Sequence, residues 1–374
     1  MTTIPTVDGI PVPKSFASTE KPPEPTEEQK KPLETAKDAV GEKPPSRFWL
    51  RMSAGWWRSL QVIGMSLHCL APPRPPNPSF TKTIPSTISK SKGNFTVQFY
   101  TPKGYNQAKK SGKKFPAVIN FHGGGFTIGS ATDDSRFGRF VLEKCNAVYV
   151  CVDYRLSPEY PFPVAVEDGA DAILYVIRNA EELHIDPFKL ATSGFSAGGN
   201  IAITSPICLS EHLKSLRASG EIVPDHRLRA LATWYPICDY TTSREVKRAA
   251  SVRPDQTLPP TLTSLFDAAY LYPSDLNLAS PFLSPSKATD QQLIESMPDT
   301  IIFYTCEWDM LQKEGQQLAE RLGRQPISRE VKHKMILGVP HAWDKSPDPT
   351  KPAPGSEQVY TECCNYLKQV FERQ

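Results

Sequence analysis

Ser196 stands in Gly194-Phe195-Ser196-Ala197-Gly198, a G-x-S-x-G pentapeptide. A serine forced into a sharp strand-to-helix turn presents its hydroxyl away from the sheet as a nucleophile. Glycines on either side let the backbone pass close to itself. The pentapeptide alone recurs by chance, so its weight comes from its companions. His122-Gly123-Gly124-Gly125 lies upstream. Three glycines in a row let backbone N–H groups converge where negative charge develops on an attacked carbonyl oxygen; the structural alternative is a flexible loop. His122 is expected to hold that loop through hydrogen bonds and not to act as a base. Asp309, in Cys306-Glu307-Trp308-Asp309-Met310-Leu311, and His341, in Gly338-Val339-Pro340-His341-Ala342-Trp343, lie downstream. An imidazole can take the serine proton, and a carboxylate can orient that imidazole and stabilise its charged form. Glu307 rivals Asp309. Asp309 is preferred because the next helix opens just after it, and a helix cap is its plain structural role. The order serine, carboxylate, histidine fits a nucleophile turn of this kind. His333, His68, His184, His212 and His226 are less well placed.

These residues need strands that end where chemistry is wanted. Residues 188–193 read as a short strand before the serine and residues 199–204 as the opening of a helix after it. Residues 117–121, 147–152, 228–235 and 300–305 are compact apolar runs, as buried parallel strands are. Residues 95–100 alternate like a half-exposed edge strand, and 329–337 read as the last strand. Helical patterns at 164–180 and 312–324 fall between them, so the alternation predicts a doubly wound α/β sheet. Residues 238–281 break the rhythm with prolines and no clear strand, as an insertion above the sheet would.

The chain begins differently. Residues 1–47 are rich in Pro, Glu, Lys and Thr with few aromatics, a composition expected to stay mostly disordered. Residues 48–71, with 72–94 as linker, place Phe48, Trp49, Met52, Trp56, Leu60, Ile63 and Leu67 in one arc of a helix. That arc is expected to dock on the protein's own core. A lid or a membrane-surface helix is the other reading. No apolar run approaches the roughly 20 residues needed to span a bilayer. The eight cysteines are scattered, without C-x-x-C pairs or zinc spacing. No signal-peptide pattern precedes residue 13. Free thiols in a reducing compartment, the cytoplasm, are therefore expected, with no metal and no cofactor. A net charge of +3 over 374 residues gives no reason to expect nucleic acid as a partner.

Together with Asp153-Tyr154-Arg155-Leu156-Ser157-Pro158-Glu159, Phe162-Pro163 and Gly199-Asn200, these motifs resemble the hormone-sensitive-lipase-like family of α/β-hydrolase esterases, fungal members among them. The resemblance covers residues 95–374. It implies an α/β-hydrolase fold with a mostly parallel sheet and a helical cap from residues 48–71 and 238–281. It implies a Ser196–His341–Asp309 triad and an oxyanion hole from the N–H groups of Gly124, Gly125 and Ala197. Gly123, Gly194 and Gly198 would support the motifs, with Glu159 bracing the loop near the triad. The implied activity is hydrolysis of small or medium apolar acyl esters through an acyl-enzyme, with secondary-metabolite esters within reach. A non-catalytic small-molecule receptor on the same fold and an acyltransferase or amidase are the alternatives; His341 counts against the receptor. One residue departs from the family pattern: Phe195 stands where an aspartate is usual.

Overall fold

The computed structural model describes residues 24–27 and 29–373. Eight strands form one sheet: β1 Phe80–Pro85, β2 Asn94–Tyr100, β3 Phe115–Phe121, β4 Val148–Asp153, β5 Ile185–Phe195, β6 Leu228–Trp234, β7 Thr300–Cys306 and β8 Glu330–Ile336. Their order is β1-β2-β4-β3-β5-β6-β7-β8. β1 and β2 run antiparallel to their neighbours, and β3 to β8 are parallel. The chain leaves β3 for β4 on one side and returns to β5 on the other. The strand order therefore reverses at β3, and loops at that point open a crevice at the carboxyl ends of the strands. The glycine-rich loop follows β3 and the serine follows β5.

The apolar runs have the burial expected of central strands. β7 is buried throughout, and β3 and β4 nearly so. Side chains alternate between two cores. Ala117, Ile119 and Phe121 face one, with the helices Val164–Arg178, Ala197–Ala218 and Gln312–Gly323. Val118 faces the other, with Phe137 and the helix Ser356–Glu372. The helices Arg244–Ala249 and Pro260–Tyr270 lie between β6 and β7.

Three expectations change. Residues 95–100 do not make an edge strand: β2 is paired on both sides, and β1 forms the edge. β1 escapes a reading by hydropathy because Phe80-Thr81-Lys82-Thr83-Ile84-Pro85 is short, polar and mostly exposed, as edge strands tend to be. Residues 33–36 are not loose. Leu33 N–H donates to the Thr241 carbonyl (2.7 Å), Ala36 N–H to Leu276 (2.9 Å), and Leu278 N–H to Glu34 (2.9 Å). This order comes from backbone pairing, which composition does not record. Residues 1–23, part of the segment expected to be disordered, lie outside the described residues.

The third change concerns the helix Arg47–Leu70. It docks, but not by its apolar arc. Leu50, Ala54 and His68 are its buried residues. Leu50 packs with Leu265 and Ala268, flanked by Trp57. Phe48, Trp49, Met52, Trp56, Leu60, Ile63 and Leu67 are all exposed, Trp49 at 66% and Trp56 at 65%. Polar groups hold the inner side. Arg47 donates to the carbonyls of Ala269 and Pro158, Arg58 to those of Thr127 (2.9 Å) and Ser157 (2.8 Å), and Gln61 to Asp133. Buried carbonyl acceptors on the loops it covers call for donors, and arginine supplies several in one fork.

Candidate active site

Ser196 sits between β5 and the helix Ala197–Ala218, with φ 54° and ψ −117°. Such a backbone costs energy for a residue with a Cβ and persists only where the surroundings over-determine it. Here they do. Ser196 N–H donates to the Trp234 carbonyl (2.9 Å), and its own carbonyl accepts from Asn200 N–H (3.1 Å). A Cβ on Gly194 would lie 2.1 Å from the Gly198 carbonyl oxygen, and one on Gly198 would lie 2.0 Å from that of Phe121. The two glycines of the pentapeptide are thus required by contact.

His341, on the loop after β8, lies with Nε2 2.8 Å from Ser196 Oγ and Nδ1 2.7 Å from Asp309 Oδ2. Facing a carboxylate, Nδ1 carries the hydrogen, which leaves the Nε2 lone pair to accept from the serine hydroxyl. Asp309 also behaves as its structural role suggests: Oδ1 accepts from Leu311 N–H (3.0 Å). Its rival Glu307 has a different task. It accepts from Gly338 N–H (2.8 Å) and so ties down the loop that carries His341. Ser196, Asp309 and His341 are all buried, Ser196 and His341 each at 9% exposure.

The glycine-rich loop lies directly over the serine turn. A Cβ on Gly123 would meet the Phe195 carbonyl oxygen at 3.1 Å and Ser196 Cβ at 3.6 Å. Gly124 has φ +112° and no room for a Cβ, which would come 2.2 Å from the Ile128 carbonyl oxygen. His122 Nδ1–H donates to the Gly123 carbonyl (2.8 Å), and its ring stacks on Tyr154 at 4.2 Å. Tyr154 returns a hydrogen bond to the His122 carbonyl (2.8 Å). Ala197 opens the following helix, so its N–H belongs to the positive end of a helix dipole. Glu159 pairs with Arg58 at 2.8 Å and therefore braces the helix Arg47–Leu70 more directly than the triad.

Phe195 is explained by what surrounds it. Its ring stacks on Trp234 at 5.2 Å and 3° and meets Phe137 edge-on at 5.7 Å. Lys345 Nζ lies 3.9 Å from the Phe195 ring centre, 2.7 Å from Asp134 Oδ1 and 3.2 Å from Asp344 Oδ2. Burial opposes the lysine charge, but Asp134 and Asp344 outweigh it and hold its pKa well above the usual range. Asp344 in turn accepts from the hydroxyls of Tyr235 and Tyr360, and the Tyr235 ring packs against His341 at 4.8 Å. Two carboxylates already balance Lys345. At residue 195 an aromatic face supplies a cation–π partner without adding a third negative charge. Sequence reasoning found Phe195 but missed this network, whose members are scattered from residue 134 to residue 360.

A cleft of about 580 Å³ opens beside His341 and is lined by Trp308, Val339, Pro340 and Trp343. No cluster of three or more His, Cys, Asp or Glu suited to a metal occurs among the described residues.

Residues 118–345 match the α/β hydrolase fold family. The chain belongs to that family. An AB hydrolase superfamily protein of Schizosaccharomyces pombe is 30% identical over 259 residues, covering 69% of this chain and 71% of that one. An arylesterase of Saccharolobus solfataricus is 31% identical over 255 residues, covering 68% and 75%. A hyperthermophilic esterase from the archaeon Pyrobaculum calidifontis superposes with a TM-score of 0.66 at 26% identity, over 86% of this chain and 93% of that one. These relatives fit the hormone-sensitive-lipase-like branch, and this α/β hydrolase shares the fold and its mostly parallel sheet.

Proposed function

We propose that this α/β hydrolase is a serine carboxylic-ester hydrolase working through an acyl-enzyme. The observation that carries the reading is the unbroken hydrogen-bonded series Asp309–His341–Ser196. Ser196 Oγ attacks the ester carbonyl carbon while His341 Nε2 takes its proton. The tetrahedral oxyanion lies against the N–H groups of Gly124, Gly125 and Ala197. His341 then protonates the leaving alcohol, and water, activated by the same imidazole, cleaves the acyl-enzyme. Asp309 keeps the imidazole in the working tautomer and stabilises its cationic form. Asp309 and His341 also support hydrolysis over a receptor role, since a receptor needs no base beside the serine.

The substrate class is a small or medium apolar acyl ester, a class that includes acylated secondary metabolites. The arylesterase of Saccharolobus solfataricus among the relatives supports it. Eight free thiols support residence in the reducing cytoplasm. Ser196→Ala should lower turnover on p-nitrophenyl butyrate by roughly 10⁴-fold or more, and a fluorophosphonate should label wild type at Ser196 alone. Retained turnover in that variant would remove the assignment. A panel of esters of rising acyl length, run with competing alcohols, separates hydrolysis from acyl transfer.

A further inference from the structure

The helix Arg47–Leu70 is built inside out. Its polar side chains face the protein and hold it there, while its apolar arc faces solvent. Phe48, Met52, Trp56, Val62, Ile63 and Leu70 are exposed at 63, 57, 65, 66, 60 and 46%. Monomeric proteins rarely leave a contiguous apolar patch larger than a few hundred Å² without a use for it. Among the described residues the arc adds nothing to the core, so the described fold does not account for it.

We propose that this face docks on the surface of an anionic phospholipid bilayer. Three observations favour that occupant. The helix has no aspartate or glutamate over 24 residues, and of its three arginines Arg47 and Arg58 bind the protein while Arg51 does not, so the charge it presents outward is positive and complements phosphate headgroups. Arg51 sits at the border of the arc and is exposed, where a headgroup can reach it. The arc joins tryptophan and phenylalanine to aliphatic side chains along a helix of about 36 Å, the composition of a helix that lies in the interface plane. No helix among the described residues is long and apolar enough to cross a membrane, so the attachment is peripheral. The inner side of the same helix, through Arg58, grips the carbonyls of Thr127 and Ser157 beside the glycine-rich loop. Docking would therefore set that loop one helix diameter, roughly 10 Å, from the lipid. The inference does not depend on the proposed hydrolysis, because binding is read without substrate.

The test is sedimentation of the full chain with vesicles of phosphatidylcholine alone and of phosphatidylcholine with phosphatidylglycerol, together with tryptophan emission. Wild type should sediment with the phosphatidylglycerol vesicles, more weakly with phosphatidylcholine alone, and its emission should shift to the blue. A triple variant Met52→Glu, Trp56→Glu, Ile63→Glu changes only exposed positions. It should keep the wild-type thermal transition and hydrolysis of soluble p-nitrophenyl acetate while losing at least about ten-fold in vesicle affinity. Wild type that stays in the supernatant, or a folded triple variant that binds equally, overturns the proposal. So does a wild-type dimer in solution that the variant abolishes without vesicle binding, which would make the face a contact between copies. Loss of hydrolysis in Ser196→Ala with vesicle binding intact would bear on the site and not on this face.

Discussion

Asp309 uses its two carboxylate oxygens differently, one for His341 and one for the Leu311 N–H. Asp309→Asn keeps the size and the backbone contact but can present an NH₂ group to His341, which favours the wrong tautomer. Turnover on p-nitrophenyl butyrate should fall by about 10⁴-fold with little change in melting temperature. A fall of less than ten-fold would place the orienting charge elsewhere. Phe195 gives a prediction of stability. Phe195→Asp removes a ring stacked on Trp234 and puts a third carboxylate beside Asp134 and Asp344 around one lysine. The urea midpoint should drop by the equivalent of about 3 kcal/mol, and an unchanged midpoint would show that the ring is dispensable. At this scale the sequence was most legible. Ser196, His341 and Asp309 were nameable because each follows a readable strand. Lys345 was not, because a lysine near the chain end reads as surface until the fold buries it.

The element most worth testing is the helix Arg47–Leu70, and His68 near its end reports on its docking. His68 Nδ1 lies 3.0 Å from the Ser346 carbonyl, which can only accept, and Nε2 lies 3.3 Å from Arg136 Nε, which can only donate. Both nitrogens are satisfied only in the neutral ring. Burial, with the nearby Lys345 charge adding to it, pulls the pKa from 6.5 to about 4. The unfolded chain therefore binds a proton in this window that the native chain does not. The contribution of neutral His68 is fully present above pH 6.5 and is lost as pH falls toward 4. The melting temperature should decline over that range, and His68→Gln should flatten the decline relative to wild type. Parallel profiles for the two proteins would exclude His68 as the source. Periodicity located this helix correctly but gave its orientation the wrong way round. A hydrophobic arc states that a face wants cover; it does not state that the cover belongs to the same chain. Arg58 and Gln61 find their partners on loops more than sixty residues away, and no local pattern records them.

Across the whole molecule, the eight cysteines offer a count that checks the packing. All are free, seven are buried, and Cys69 is intermediate. A thiol-reactive dye should titrate at most Cys69 quickly in the native protein and all eight after denaturation without reductant. Fewer than eight in the denatured chain would mean a disulfide. The sheet itself was largely readable: seven of its eight strands were, four of them from compact apolar runs, because burial on both faces writes itself into composition. Its first strand and the docking of residues 33–36 were not, since they rest on backbone pairing between distant segments.

Gly125 has φ +58°, and a Cβ there would sit 2.2 Å from the ring of Phe266, in the helix Pro260–Tyr270. The next residue, Phe126, stacks on Tyr270 of that helix at 3.8 Å. The cover and the glycine turn are thus one solid part, machined to fit. Anyone redesigning residues 260–270 to admit bulkier molecules would also be retuning the turn beneath, so gains in scope at residue 266 should arrive coupled to changes in turnover.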